Sequence, residues 1–274
     1  MGNSFLAEQL ARRNADSATQ GAEGGERAEE VAPPAPVGGQ QAVGSTAAPL
    51  KVAHPAAVVA GEQRRSSLGV QIIGVNVSPS ALDACEAFVA LTLGHRPDIQ
   101  ERMQRANVAL VIIPRNGKMT DVPQFASLKG KKTFDGRVWD DVRGAGGMRV
   151  SGGLWAIAVP EENLVETGGE DSYGAGYSVG LHELSHTVHS KGMTRGERDR
   201  VTELYAARKN AGGPWTESYG ASNEQEYFAQ STNCFFSQNA GIGQNDPQWL
   251  RTNDQPMFDF LVSIYGPPAT AAHA

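Results

Sequence analysis

Two short runs of the chain are almost continuously apolar, at residues 68–77 and 108–113. Runs of this length without regular polar positions are typical of strands that are covered on both faces. A third apolar run at about 154–159 follows a glycine-rich stretch at 144–147, which we interpret as turns. The pattern therefore predicts a sheet with buried central strands.

Helical spacing of apolar positions is found between and after these strands. Residues 80–93, with Ser78 or Ser80 as the N-cap, and residues 97–106 precede the second strand. Two later helices are predicted to carry the candidate site described below, and a last helix covers 257–265. This order of strands and helices predicts an α+β fold.

Residues 1–66 lack the apolar positions that such a fold needs. They are rich in Ala, Gly, Gln, Glu and Pro, contain a single aromatic residue, Phe5, and have no Ile, Trp or Tyr. A segment of this composition does not bury enough apolar surface to offset the entropy of ordering. We therefore predict a disordered Ala/Gly/Pro-rich arm over 1–66, locally extended at Ala32–Pro36, and one domain over 67–274.

The net charge of −6 argues against nucleic acid or an anionic bilayer as the main partner. The start of the chain lacks the apolar run of a Sec signal peptide, and no stretch approaches the length of a membrane span. We expect a protein without integral membrane association that is cytoplasmic in its producer or secreted by a non-Sec route. Cys85 and Cys234 make no disulfide framework and are expected to be buried thiols, with a single bridge left open.

The segment His182-Glu183-Leu184-Ser185-His186 carries the clearest chemistry. One helical turn places His182 and His186 on the same face, about 6 Å apart along the axis, so both imidazoles can reach one tetrahedral ion. Glu183 lies about 100° around the helix, where it can polarise a water but is not a natural third ligand. The apolar residues on the other side predict a helix that ends near Gly192.

A zinc site needs a third protein ligand, and the position of that ligand distinguishes the zinc peptidase families. The metzincin continuation fails because His189 stands where it requires a glycine. The gluzincin arrangement takes a glutamate from a later helix, and Ser222 with Gln225 has the capping-box spacing that begins one. We predict Glu226 as the third ligand, with Glu224, about 200° around the same helix, as its competitor.

The segments Ser218–Gly220, Asn223–Glu224 and Glu226–Ala229 resemble the C-terminal peptidase domain of anthrax lethal factor and the smaller secreted Pro-Pro endopeptidases. Upstream segments such as Asp135–Asp140 extend the resemblance, which covers about residues 115–266. Paired motifs at this spacing are much more specific than HExxH alone.

The resemblance implies a zincin-like metallopeptidase fold, with a twisted mixed sheet, the HExxH helix beneath its edge and a helical C-terminal half. It implies Zn²⁺ as cofactor, a peptide or protein substrate, and export as a toxin or effector. In the family, a tyrosine seven residues before the ligand glutamate points its hydroxyl at the scissile carbonyl, and Tyr219 is seven before Glu226. The substrate lies along the edge strand of the sheet, which we assign to the region 149–159.

The sequence departs from the family at Ser185, where glycine is frequent, at His189, where an acidic residue is frequent, and at Gln230, where a second glutamate is frequent. The amide oxygen of Gln230 can still orient a ligand histidine, so the exchange affects metal affinity and not metal identity. His189 has two interpretations: it contacts a ligand or the substrate, or it is a partly exposed histidine favoured by the helix C-terminus.

These residues predict a zinc-dependent endopeptidase. Glu183 takes a proton from a metal-activated water as general base, and Tyr219 stabilises the oxyanion. A catalytically inactive zincin-fold binding module is the alternative, although such a module needs neither side chain. A further alternative is a zincin associated with injection systems, suggested by Leu181–Val188, which explains the arm but not the later motifs.

Overall fold

The computed structural model describes residues 30–31, 58–133, 136–165, 173 and 176–268 of the 274-residue chain. Strands in these residues form one mixed sheet, in the order β1-β5-β6-β4-β3-β2. β3, β4 and β6 are parallel, whereas β2, β5 and β1 each pair with a neighbour in the antiparallel sense. The strands are β1 (Glu30–Val31), β2 (Val59–Ser67), β3 (Val70–Val77), β4 (Val108–Ile113), β5 (Ala145–Arg149) and β6 (Trp155–Pro160).

Helices pack on the sheet and form the C-terminal half of the described chain. None of the described helices combines the length and apolar character that a membrane crossing requires. The α-helices are α1 (Pro79–Leu93), α2 (Pro97–Arg105), α3 (Glu161–Leu164), α4 (Val179–Thr187), α5 (Arg195–Asn210), α6 (Glu224–Phe235), α7 (Pro247–Asn253) and α8 (Gln255–Tyr265).

The central strands are covered on both faces, as their apolar sequence predicts. Every residue of β4 is buried, and successive side chains point to opposite sides of the sheet. Leu110 and Ile112 belong to the larger core with Phe88 of α1. Val111 belongs to a second core with Trp139. The predicted α+β fold class, with a mixed sheet and a helical lower half, is therefore confirmed.

β2 begins at Val59, so the domain boundary predicted between residues 66 and 67 falls inside a strand. Most of β2 is exposed and polar, which is why its composition resembles that of the arm. Leu68 and Gly69 have φ angles of 46° and 83° and form the turn into β3, which starts at Val70. The ordered domain therefore starts no later than Val59. Apart from residues 30–31 and 58–66, the predicted arm lies outside the described residues.

The glycine-rich stretch at 144–147 is largely strand β5, not turns as predicted. Gly147 has a φ of 68°, and the register of β5 against β6 shifts between Ala145 and Met148, as in a β-bulge. β6 pairs with β4 on one side and β5 on the other. We predicted that residues 149–159 form the edge strand along which the substrate lies. This is wrong for most of the range, because β6 is an inner strand and β5 lies nearer the edge of the sheet.

Both cysteines are buried and free. Burial raises the pKa of the Cys234 thiol to about 12 and raises that of Cys85 still further. The single bridge that the sequence left open is not formed, and neither thiol has the depressed pKa of a reactive cysteine.

Candidate active site

The HExxH motif lies on α4, which is buried along its whole length. The side chain of Ser178 caps the helix and accepts a hydrogen bond from the backbone N of Leu181 at 3.1 Å. Gly180 allows close packing, since a Cβ there would be 3.0 Å from Cγ1 of Val159 and 3.1 Å from the ring of Phe88. The helix is thus pressed against the sheet, and its two histidines face α6.

α6 supplies the predicted third ligand. Its N-cap is Asn223 and not Ser222, because Oδ1 of Asn223 accepts the hydrogen bond from the backbone N of Glu226 at 2.9 Å. Farther along the helix, Nδ2 of Asn233 donates to the carbonyl of Ser178 at 3.1 Å. These contacts fix α6 against the start of α4 and hold Glu226 opposite the histidines.

His182, His186 and Glu226 form a triangle of donor atoms. The two Nε2 atoms are 3.0 Å apart, and Oε2 of Glu226 lies 3.3 Å from that of His182 and 3.6 Å from that of His186. Ligands at ordinary Zn–N and Zn–O distances in a tetrahedral site are separated by about 3.4 Å. The three side chains are at most 3 % exposed. Among the described residues they form the one histidine and carboxylate group arranged to hold a metal ion.

The protonation states of this group also suit a metal. Burial lowers the pKa of His182 and so favours its neutral form. Burial acts to raise the pKa of Glu226, but the neighbouring imidazoles of His186 and His182 outweigh it and hold this pKa well below its usual range. A neutral imidazole at His182 and an ionised carboxylate at Glu226 are forms that coordinate a divalent cation.

Glu183, the predicted general base, is fully buried beside β5. A Cβ at Gly146 would lie 2.8 Å from both the backbone O and Oε2 of Glu183. The strand therefore approaches the motif so closely that only glycine fits. Sequence reasoning missed Gly146, because nothing in the local pattern distinguishes a close approach from a turn.

Tyr219 lies on the 3-10 turn Ser218–Ala221, immediately before α6. Glu217 caps this turn, and its carboxylate accepts hydrogen bonds from the backbone N of Tyr219 at 2.7 Å and of Gly220 at 2.9 Å. A Cβ at Gly220 would be 3.6 Å from Cβ of Gln230, so the turn packs against α6. Burial, helped by the charge of Glu226, raises the pKa of Glu217 to about 7. The sequence analysis did not identify Glu217.

Tyr177 is a second tyrosine near the candidate metal ligands, and sequence reasoning missed it. Its ring centroid is 6.2 Å from that of His182, and its hydroxyl accepts a long hydrogen bond, 3.5 Å, from Nε2 of Gln230. Burial raises its pKa well above the usual value, and the charges of Glu217 and Glu183 act in the same direction. The amide of Gln230 thus points to Tyr177, and its Oε1 has no hydrogen-bond partner among the described residues.

His189 follows the motif in a π-helical turn, Val188–Gly192, which extends α4 to the predicted end at Gly192. Its ring lies 5.8 Å from that of Phe228 on α6, and burial lowers its pKa to about 4. The interpretation of His189 as a partly exposed helix-end histidine is therefore wrong, because its side chain is buried. Glu224, the competing ligand, is half-buried and accepts a hydrogen bond from Gln225 outside the triangle.

Comparisons with known proteins agree with this fold and show the family. The fold is similar to that of the Pro-Pro endopeptidase PPEP-2 of Paenibacillus alvei, with a TM-score of 0.51 and 17 % identity over 72 % of this chain and 97 % of that one. No curated protein matches the sequence. The model of the family "Anthrax toxin lethal factor, N- and C-terminal domain" matches residues 96–249, which is more than half of the chain. The protein therefore belongs to the anthrax toxin lethal factor family, as a lethal factor-like metallopeptidase.

Proposed function

We propose that this protein is a zinc endopeptidase whose centre is formed by His182, His186 and Glu226. The observation that carries the proposal is the triangle of donor atoms, whose edges of 3.0 to 3.6 Å match one face of a tetrahedral zinc site. When bound, zinc supplies a Lewis acid that polarises a peptide carbonyl and makes water acidic near neutral pH.

Glu183 performs the proton transfers in this proposal. Its carboxylate is adjacent to a metal ligand in the sequence and is held between α4 and β5. It accepts a proton from the attacking water and then donates a proton to the leaving amine. The surrounding protein excludes bulk water, which strengthens these electrostatic effects.

Tyr219 stabilises the negative charge that develops on the carbonyl oxygen. The Glu217 cap fixes the backbone of its turn beside the first residues of α6. A hydrogen-bond donor in this role contributes on the order of 3 kcal/mol to transition-state stabilisation. We include in this proposal that the protein acts as an exported toxin or effector, on the basis of the family resemblance.

The substrate is a peptide that lies along β5, the strand that contacts Glu183. Because the structural neighbour is named a Pro-Pro endopeptidase, a Pro-Pro sequence is the first candidate for the cleaved bond. Sequences rich in basic residues are the second class to test, since the net charge of −6 favours neutral or basic substrates.

The experiment is cleavage of a quenched fluorescent peptide library by the full chain loaded with zinc. Hydrolysis is expected to stop with a chelator and to return when zinc is added. Glu183→Gln is expected to keep its zinc, measured by metal analysis, but to lose hydrolysis. Glu224→Gln is the matched control, because Glu224 lies in the neighbouring helix outside the triangle, and it is expected to retain activity.

Two results contradict the proposal. Wild-type turnover in the Glu183→Gln protein excludes Glu183 as general base. Zinc bound at full occupancy without hydrolysis of any library sequence supports the binding-module alternative instead.

A further inference from the structure

Strand β2 forms the edge of the sheet on the side away from the candidate active site. Among the described residues it pairs with β3 alone, so its outer side has no neighbouring strand there. The two-residue turn after β2 makes Ser67 and Val70 the hydrogen-bonded pair that closes the hairpin. Backbone direction alternates along a strand, and therefore the N–H and C=O groups of Glu62 and Arg64 point away from β3.

These two outward-directed residues carry opposite charges. The side chains of Glu62 and Arg64 are 37 % and 54 % exposed, and Oε1 of Glu62 accepts a hydrogen bond from Nε of Arg64 at 2.6 Å. Charged side chains usually protect an edge strand from pairing with other chains. One partner is not repelled, however, because the order of the two charges is self-complementary when two identical strands pair in the antiparallel sense.

A two-fold axis through Gln63 gives the register in which the charges match. It places Glu62 of each copy opposite Arg64 of the other, and Arg65 opposite Gly61. An axis through Glu62, Arg64 or Arg65 instead sets that residue opposite its own copy, and like charges in that position are destabilising. A Cβ at Gly61 would meet no atom within 4 Å, so the long side chain of Arg65 has space opposite it.

We propose that the outer edge of β2, over residues 61–65, is a homodimer contact in which two copies of this chain join their sheets about Gln63. Glu62 and Arg64 exchange backbone hydrogen bonds with the second copy, and their side chains form a cluster of alternating charge. The contact lies across the sheet from β5, so it goes beyond the proposed peptidase function and does not depend on it. It buries less surface than a standard stable interface, and we expect a dissociation constant in the micromolar range.

Sedimentation velocity of the full chain at increasing concentration measures the monomer–dimer equilibrium. Glu62→Arg and Arg64→Glu each place like charges opposite each other, and we expect each to weaken the dimer by about 10- to 100-fold. A mixture of the two variants restores opposite charges across the contact, so we expect it to dimerise where neither variant does so alone. Glu203→Arg and Arg200→Glu reverse the charges of an exposed ion pair on α5 and are the matched controls, with no change expected.

The register is tested separately with Gln63→Cys. Directly opposed residues of a non-hydrogen-bonded antiparallel pair have Cα atoms about 4.5 Å apart, a distance that a disulfide can span. We expect Gln63→Cys to give a disulfide-linked dimer on oxidation and Ser66→Cys to give none, since both native cysteines are buried.

Three results overturn the proposal. A wild-type chain that stays monomeric at every concentration excludes the dimer. A mixture of Glu62→Arg and Arg64→Glu that dimerises no better than either variant excludes the charge pairing, and cross-linking at Ser66→Cys in place of Gln63→Cys excludes the register. None of these measurements uses peptide hydrolysis, so failure of the peptidase function is detected separately.

Discussion

Gly146→Ala is the most direct test of how the sheet positions Glu183, the proposed general base. The added methyl would lie 2.8 Å from the backbone O and 2.8 Å from Oε2 of Glu183, and 3.3 Å from its Cα. Ordinary contacts begin near 3.5 Å, so β5 and α4 must separate by several tenths of an ångström or the carboxylate must move. Overpacking of this kind costs about 1–3 kcal/mol.

A displaced carboxylate affects catalysis more than it affects folding. A shift approaching 1 Å at a catalytic group can lower the rate by about 100-fold. We therefore expect kcat/KM of Gly146→Ala to fall by roughly 10- to 100-fold, with zinc content unchanged and Tm lower by about 2–10 °C. The measurements are peptide hydrolysis, metal analysis and thermal unfolding on the same preparation.

The control is Gly196→Ala, near the start of α5, where a Cβ meets no atom within 4 Å and where alanine favours the helix. It is expected to retain activity and to be at least as stable as the wild type. If Gly146→Ala hydrolyses peptides at the wild-type rate, β5 does not set the position of Glu183, and the reasoning about the glycine fails.

Three further substitutions test the proposed roles of Glu226, Tyr219 and Glu217 one at a time. Glu226→Ala should lose stoichiometric zinc, and with it the rise in Tm that added zinc produces in the wild type; retained zinc would exclude Glu226 as a ligand. Tyr219→Phe should bind zinc normally while kcat falls about 100- to 1000-fold, and an unchanged kcat would exclude the oxyanion role. Because the folded pKa of Glu217 is raised from 4.5 to about 7, metal-free protein should lose stability as pH rises through this window, by at most about 3 kcal/mol. Glu217→Gln should remove that slope in urea unfolding at pH 4.5 to 7.5, and an unchanged slope would refute the shift.

Features that depend on local spacing were predictable. The four-residue interval between His182 and His186 predicts that both lie on one face of a helix. The apolar run of β4 predicts a strand that is buried on both faces of the sheet. The number of residues between Glu183 and Glu226 does not predict how close the two lie in space, because they belong to different helices. The gluzincin pattern and the family resemblance predict Glu226 as the third ligand. In the folded chain, Oε2 of Glu226 lies 3.3 Å from Nε2 of His182.

Features that depend on distant parts of the chain were not predictable. β2 is too polar to be recognised alone, because it is stabilised by pairing with the buried strand β3. Gly146 appeared to be a turn residue, since its requirement is set by Glu183, far away in the sequence. Glu217 looks like an ordinary surface acid until the fold directs its carboxylate at two backbone N–H groups. Each of these features depends on a tertiary contact, and such a contact cannot be inferred from the periodicity of a single sequence.

The burial of the site is itself an argument for a metal-dependent function. His182, Glu183 and Glu226 are at most 1 % exposed, and burying ionisable groups is costly unless they are paired or coordinate a cation. A purely structural helix packed between a sheet and α6 would be more stable with apolar side chains at these positions. A divalent cation compensates the carboxylate charge and uses the lone pairs of both imidazoles, so metal binding and fold stability are coupled. The burial of these polar side chains therefore favours the proposed metal site over a purely structural role for the helix.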